Sequence, residues 1–156
     1  MEKVLLLLSG GFDSPVAGCL LRERGFRVGA VHFKNQLAGK QPEEKARKLA
    51  VMLGFQPFVV DDITQELQRI AGTCDKRYYF VLQKRLMLRR AAGIARRRGF
   101  SFLATGESLA QVSSQTARNL AAINQAAPIP VLRPLIGFDK NEIISIAKHA
   151  GTYETS

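Results

Sequence analysis

The chain has 156 residues, of which 46% are hydrophobic and 23% are charged, and this composition is typical of one globular domain. No apolar run approaches the roughly 20 residues that a membrane-spanning helix needs, and no signal-peptide layout follows Met1. Two distant cysteines, Cys19 and Cys74, predict neither a disulfide framework nor a metal site. We therefore expect a cytoplasmic protein that does not enter a membrane.

The formal net charge of +10 favours a polyanionic partner. The cations are concentrated in one stretch, which no acid interrupts: Lys76, Arg77, Lys84, Arg85, Arg89, Arg90, Arg96, Arg97 and Arg98. This run indicates nucleic acid, with nucleotide phosphates or an evenly spread solubilising charge as the alternatives.

The first element is a short aliphatic run that begins at Val4 and predicts a strand buried on both faces. The loop S-G-G-F-D-S (9–14) follows, and then a helix from Pro15 to Arg24, which Ser14 or Asp13 is expected to cap. Paired glycines favour a tight turn, and free N–H groups at a helix start favour an anion such as phosphate.

The rest of the chain alternates between strands and helices. Further strands are predicted at 27–33, 56–60, 100–104 and 130–132, and further helices at 42–53, 63–70, 79–98 and 113–126. Asp61 or Asp62 is expected to cap the helix at 63, and 71–77 is expected to be a loop. Asp139 and Glu142 predict a capping box for the last helix, which Gly151 ends.

This alternation predicts an α/β fold, namely a three-layer, doubly wound parallel sheet of about five strands. Ligands of such sheets bind beyond the carboxyl ends of the strands. That edge should collect 9–14, 32–35, Asp61, 105–107 and Arg133.

The loop after the first strand is not a Walker loop, because 9–14 contains no Lys or Arg. It resembles the S-G-G-x-D-S signature of the PP-loop ATP pyrophosphatases, which have an adenine nucleotide alpha hydrolase-like fold. The resemblance implies that the loop holds the pyrophosphate of ATP while ATP is cleaved to AMP and a substrate oxygen is adenylated.

Motifs in the second half narrow the resemblance: K-R-L-M-L-R (84–89), T-G-E-S-L-A-Q-V-S-S-Q-T (105–116), N-L (119–120) and L-R-P-L-I-G-F-D-K (132–140). They resemble the PP-loop domain of the tRNA 4-thiouridine synthetases, the tRNA sulfurtransferases of the thiamine-biosynthesis type, over nearly the whole chain. The resemblance implies that ATP adenylates O4 of a uridine in tRNA, and that sulfur from a protein persulfide then replaces this oxygen to give 4-thiouridine. A link to thiamine biosynthesis is also implied.

The same resemblance implies a set of ATP-binding residues: Leu7, Leu8, Ser9, Gly10, Gly11, Phe12, Asp13, Ser14, His32, Phe33, Lys84, Arg85, Gly106 and Gln115. His32 and Phe33 match positions that flank the adenine; the alternative for them is a strand end packed in the core. Lys84 and Arg85 match a basic ATP-binding position, with a solvated helix face as the alternative.

Asp13 and Lys140 match the family residues needed for adenylation. Asp13 is expected to act through Mg²⁺ or through the geometry of the leaving group, because a hard cation suits a carboxylate together with phosphate oxygens. Lys140 would add a positive charge where negative charge grows on the phosphates. Spacing alone favours an exposed lysine beside a helix cap at Lys140, and the family motif favours the active site.

Four arginines of the long helix, Arg89, Arg90, Arg96 and Arg97, are predicted to contact RNA because of their charge.

The expected partners are tRNA and a sulfur donor, either a cysteine desulfurase or a rhodanese-type persulfide carrier. Residues 1–156 are expected to form one PP-loop ATP-binding domain without the family's THUMP and rhodanese domains, and a homodimer is left open. Cys74 lies near Lys76 and Arg77, but no family motif marks it, and we expect it to have no role in the reaction.

Two other functions stay open. One is a PP-loop enzyme that adenylates a small molecule, against which the motifs after Thr105 argue. The other is a non-catalytic ATP-binding module, against which Asp13 and Lys140 argue. The chain has no C-x-x-C pair, and this argues against the zinc and iron–sulfur branches of PP-loop enzymes.

Overall fold

A computed structural model describes residues 1–109 and 115–156. Their strands form one five-stranded sheet with the order β3-β2-β1-β4-β5, in which all paired strands are parallel. The strands are β1 (Lys3–Leu7), β2 (Arg27–Lys34), β3 (Phe58–Asp62), β4 (Phe102–Ala104) and β5 (Val131–Leu132). The predicted doubly wound α/β fold is thereby confirmed.

Helices cover both faces of this sheet. They are α1 (Asp13–Glu23), α2 (Gln41–Leu53), α3 (Thr64–Thr73), α4 (Tyr79–Arg98), α5 (Ala117–Asn124) and α6 (Lys140–His149). Short 3₁₀ turns lie at Gln36–Ala38 and Lys76–Tyr78. The predicted bounds of α4 are confirmed at both ends, and Gly99 ends it in the left-handed conformation with φ of 72°.

β1 lies in the middle of the sheet and contributes to two cores. Val4, Leu6 and Leu8 pack on one face with the buried sides of α1, α2 and α6. Leu5 packs on the other face with α4 and with Ile123 of α5. Because consecutive strand side chains alternate between faces, the aliphatic run of β1 supplies both cores, as expected for a central parallel strand.

Two predicted helix caps are wrong. α1 begins at Asp13, and its N-cap residue is Phe12, which makes no side-chain capping hydrogen bond. Pro15 therefore stands two residues inside the helix, where the missing N–H has no helical partner to lose. The N-cap residue of α3 is Ile63 and not an aspartate, although Asp62 Oδ1 accepts a hydrogen bond from the Thr64 N–H at 3.0 Å.

Several element bounds differ from the prediction, and strand pairing sets those of β3. β3 begins at Phe58 and includes Asp61 and Asp62, since β2 continues to Lys34 and pairs with it there. α3 extends to Thr73 into the predicted loop. The strand predicted from 100 begins at Phe102. The predicted helix 113–126 starts partly outside the described residues, and its described part is α5.

The capping box at the start of α6 is confirmed. Asp139 Oδ1 accepts from the Glu142 N–H at 2.9 Å, and Glu142 Oε2 accepts from the Asp139 N–H at 2.8 Å. In the described part of the chain, none of the helices has the length and apolarity needed to cross a bilayer.

Candidate functional site

A cavity of about 270 Å³ opens at the carboxyl edge of the sheet. β2 and β3 extend the sheet on one side of β1, and β4 and β5 extend it on the other. The loops after β1 and β4 therefore diverge, which is the usual position of a ligand in an open α/β sheet. The lining residues are Leu7, Leu8, Ser9, Asp13, Ser14, Val31, His32, Phe33, Lys84, Met87, Leu88, Thr105, Gly106, Glu107, Gln115 and Ile123.

The loop between β1 and α1 is held in shape by two serines. Ser14 Oγ accepts a hydrogen bond from the Ser9 N–H at 2.9 Å and lies 3.0 Å from Ser9 Oγ. Ser9 Oγ also accepts from the Gly11 N–H at 3.3 Å. Because α1 begins at Asp13, its first N–H groups have no acceptor within the helix and are available to an anion at the cavity.

Glycines in and around this loop are explained by close packing and not by unusual backbone angles. A Cβ on Gly106 would lie 2.6 Å from the Ser14 backbone nitrogen, so only glycine lets the loop after β4 lie against the start of α1. A Cβ on Gly10 would lie 3.3 Å from the Pro42 carbonyl oxygen at the start of α2. Gly10, Gly11 and Phe12 do not line the cavity, and Phe12 packs instead toward the core, 6.0 Å from the Tyr153 ring.

Asp13 lies at the cavity with an unusual carboxylate. Its Oδ1 is buried and has no hydrogen-bond partner among the described residues. Burial raises the pKa of Asp13, and the positive charge of Lys140 acts in the opposite direction. Asp13 and Lys140, which are 127 positions apart in the sequence, are thus brought into electrostatic contact by the packing of α6 beside α1.

A single carboxylate of this kind is better suited to a cation that arrives bound to a ligand than to a cation that the protein binds by itself. Within 1–109 and 115–156 there is no group of three or more His, Cys, Asp or Glu side chains that could hold a metal ion. A single carboxylate with a free oxygen, beside backbone N–H groups suited to phosphate, matches the way Mg²⁺ is shared between protein and nucleotide.

His32 is buried against the end of β1, with 6% of its surface exposed. Its Nδ1 lies 3.0 Å from the Leu8 carbonyl oxygen. Since a carbonyl can only accept, Nδ1 donates in this contact, and in the neutral form of an imidazole that leaves Nε2 as an acceptor. His32 and Phe33 therefore offer the cavity one hydrogen-bond acceptor and one aromatic ring.

A buried carboxylate joins three elements on the opposite wall. Glu107 is 5% exposed and accepts from Lys84 Nζ at 3.0 Å, from Thr105 Oγ1 at 3.1 Å and from Arg133 Nε at 2.9 Å. Burial works to raise the pKa of Glu107, but Lys84 and Arg133 together outweigh it and hold this pKa below its ordinary value. The ionised cluster carries one carboxylate and two cations, of which Glu107 and Lys84 line the cavity and Arg133 lies behind Glu107.

Two further predicted residues differ in their placement. Gln115 lines the cavity, and its Oε1 accepts from the Ser108 N–H at 2.8 Å, which ties the loop after β4 to the approach to α5. Arg85 does not line the cavity, because its guanidinium turns to α5 and donates to the Ala122 carbonyl oxygen.

Of the four arginines predicted to contact RNA, Arg90 is engaged in ion pairs. Arg90 makes a two-point ion pair with Asp61, at 2.9 Å and 2.7 Å, and also lies 3.5 Å from Glu66. Arg89, Arg96 and Arg97 are exposed. The prediction of RNA contact rests on these three, and Arg90 instead joins α4 to β3 and α3.

Thr105, Glu107 and Arg133 lie at the predicted edge of the sheet, but the sequence predicts no role for them or for Met87. The sequence contained a usable signal for Glu107, since it is an acid directly after a buried strand in a strongly basic chain. Its ion pair with Lys84, which is 23 positions away in the sequence, could be identified only from the folded structure.

The matched family is described as thiamine biosynthesis protein (ThiI), and its match covers residues 1–156. A relative from Thermus thermophilus, named "Probable tRNA sulfurtransferase", is 48% identical over 165 residues, which cover 99% of this chain and 39% of the relative. A relative of the same name from Pediococcus pentosaceus is 40% identical over 159 residues, covering 99% of this chain and 39% of its own length. The chain thus spans about two fifths of these relatives.

Among solved structures, a 4-thiouridine synthetase–RNA complex with bound ATP superposes with a TM-score of 0.93 at 37% identity, covering 99% of this chain and 42% of that one. The NMN synthetase of Francisella tularensis superposes with a TM-score of 0.72 at 18% identity, and the match covers 97% of this chain and 62% of the synthetase chain. At this identity the similarity shows the fold alone. With a family match over its whole length, the chain belongs to the thiamine biosynthesis protein (ThiI) family.

Proposed function

We propose that this chain is the PP-loop ATP-binding domain of a tRNA sulfurtransferase and that it adenylates O4 of a uridine in tRNA. In the first step O4 attacks the α-phosphorus of ATP, and pyrophosphate leaves. In the second step a sulfur nucleophile attacks C4, and AMP leaves with the former O4. The product is 4-thiouridine.

One observation carries this proposal. The cavity combines an anion site at the start of α1, an acceptor and an aromatic ring at His32 and Phe33, and a cationic cluster at Lys84. The start of α1 suits the phosphates of adenosine triphosphate, and Lys84 suits their negative charge from the opposite wall. The acceptor at His32 suits the 6-amino group, and the Phe33 ring suits the face of the adenine. The similarity at 37% identity to a 4-thiouridine synthetase with bound ATP and RNA supports the same assignment.

In this proposal the loop 9–14 binds the β- and γ-phosphates, and Lys84 contacts the nucleotide from the opposite wall. Asp13 would hold Mg²⁺ together with the phosphates, and the ion would neutralise charge on the departing pyrophosphate. Lys140, beside Asp13, would stabilise the negative charge that develops at the phosphates. Leu7, Leu8, Val31 and Ile123 exclude water from the ligand.

Sulfur would come from a separate persulfide carrier, of the cysteine desulfurase or rhodanese type. Its outer sulfur would attack C4, and a second thiol would then break the S–S bond, forming a disulfide and releasing 4-thiouridine. Cys19 is buried in the core beneath α1, and burial raises the pKa of its thiol, which disfavours the reactive thiolate. Cys74 follows α3 and is not among the residues that line the cavity.

The proposal is tested by measuring release of AMP and pyrophosphate from ATP and Mg²⁺, with and without an unmodified tRNA transcript. We expect AMP formation that requires tRNA and that is lost in Asp13→Ala, while binding of ATP is retained. Glu23→Ala is the control, because this acid is exposed at the other end of α1 and does not line the cavity. ATP binding without turnover in the presence of tRNA and sulfide would instead support a binding module.

A further inference from the structure

Two aromatic side chains at the start of α4 are exposed to an unusual degree. Tyr78 is 56% exposed and Phe80 is 60% exposed, although large apolar side chains are normally buried. The Phe80 ring lies 5.5 Å from the Tyr79 ring in an edge-to-face arrangement, which supports one side of it. We call Tyr78 and Phe80 the aromatic rim.

The aromatic rim lies beside the cavity. Phe80 precedes Lys84 by four residues, so the two side chains share one face of α4. Along the same face follow Met87 and Leu88, which line the cavity together with Lys84. Phe80 therefore continues the cavity wall by one helical turn toward solvent.

The charges around the aromatic rim suit a polyanion. Asp75 is the one acid between 75 and 80, and Arg77 neutralises it through hydrogen bonds of 2.9 Å and 3.2 Å. The Arg77 guanidinium also lies 5.6 Å from the centre of the Tyr78 ring. Lys76 is exposed and adds a positive charge with no ion pair to a described residue.

A uridine whose O4 reacts must leave its base stack, because a stacked and paired base cannot enter an enzyme cavity. The loss of stacking can be offset by an aromatic side chain that covers the exposed face of a base. We propose that the aromatic rim stacks an unstacked base of the RNA substrate, with Phe80 as the main contact, and so positions the target uridine at the cavity mouth. This inference rests on the proposed function.

The chain contains no tryptophan, which allows a direct test. In Phe80→Trp the new indole is the single tryptophan, and a stacked base quenches its fluorescence. We expect quenching on addition of an unmodified tRNA transcript or a short single-stranded oligouridine, and no quenching with a fully paired RNA duplex. The matched control is Val51→Trp, at a position of 79% exposure on α2, which packs on the other face of the sheet.

A second measurement removes the ring. Phe80→Ala should weaken binding of tRNA about tenfold, within the range for loss of one base–aromatic stack, and should leave ATP affinity unchanged. Phe80→Trp should retain tRNA affinity, and Val51→Ala should match the unsubstituted chain.

The inference is overturned if tRNA binds Phe80→Trp without quenching, or if Phe80→Ala binds tRNA as tightly as the unsubstituted chain. Failure of the proposed function gives another pattern. In that case the unsubstituted chain would bind ATP but neither bind tRNA nor release AMP in its presence, and the assignment of the aromatic rim to RNA would fall with it.

Discussion

The two halves of α4 differ in the number of cations they carry, two in 79–88 and five in 89–98, and in how these cations are used. In the first half, 79–88, Lys84 is 3.0 Å from the buried Glu107, and Arg85 donates to a carbonyl of α5. In the second half, 89–98, Arg90 is paired with Asp61, while Arg89, Arg96 and Arg97 are exposed. The first half therefore shapes a binding cavity, and the second half presents charge to solvent.

This difference shows why a run of cations in a sequence does not define a surface. A helix distributes successive residues around its axis, so neighbouring cations meet different partners. The role of each cation of α4 depends on whether the fold places an acid or a carbonyl oxygen within its reach. Substitutions in the two halves should then separate ATP affinity, RNA affinity and stability.

The largest effect is expected for Lys84→Met, which keeps the length of the side chain and removes its charge. ATP affinity should fall roughly tenfold to a hundredfold, since a hydrogen bond to a charged group contributes about 1.5–3 kcal/mol. Isothermal titration calorimetry measures the change. Lys48→Met on α2 is the control, because Lys48 is exposed and distant from the cavity-lining residues. Equal ATP affinity in both variants would contradict the role of the first half.

Charge reversal at Arg89, Arg96 and Arg97 should have the second-largest effect. Arg89→Glu, Arg96→Glu and Arg97→Glu together should weaken tRNA binding about tenfold at low salt and make its salt dependence less steep. The free energy of unfolding should change little. The control reverses Arg24, Arg27 and Lys48, which changes the net charge by the same amount. An unchanged salt slope would remove the second half of α4 from the RNA interface.

Arg90 should behave differently from its neighbours. Arg90→Ala should lower the free energy of unfolding by about 1 kcal/mol, because a partly exposed two-point ion pair contributes modestly. It should leave ATP affinity unchanged. Chemical denaturation of Arg90→Ala, Asp61→Asn and the double variant measures the coupling. Additive losses would mean that this ion pair does not join α4 to β3.

The smallest effect concerns pH. Since the pKa of Glu107 in the folded protein lies below its ordinary value of 4.5, its carboxylate stabilises the fold above that value. This contribution should be lost as the pH falls below 4.5 toward the lower folded pKa. Denaturation of Glu107→Gln and the unsubstituted chain should give stability curves that converge over this range. Parallel curves would show that Glu107 is not stabilised in its ionised form.

Much of the fold could be predicted because local signals agreed with the tertiary structure. The aliphatic run of β1 required burial on both faces, and Asp139 with Glu142 defined the start of α6 by a local hydrogen-bond pattern. The limits of β3 could not be predicted in this way. They depend on pairing between Lys34 and Asp62, which belong to different strands.

The position of the site on the sheet could be predicted better than the contacts that its residues make. Ser9, Asp13, His32 and Lys84 do line one cavity. Gly10, Gly11, Phe12 and Arg85 do not line it. Gly10 packs against α2, Phe12 against the core and Arg85 against α5. The local sequence marks Glu107 only as an acid after a buried strand, and its contacts depend on two distant cations that only the fold brings to it.

The central claim, adenylation of uridine at O4, is tested most directly by following the oxygen. A tRNA whose target uridine carries ¹⁸O at O4 would be incubated with this chain, ATP, Mg²⁺ and inorganic sulfide, and the AMP would be analysed by mass spectrometry. The account predicts AMP that contains ¹⁸O, because the attacking O4 stays on phosphorus when sulfur displaces it from C4. AMP without the label would mean that water attacks ATP, and this would contradict the account.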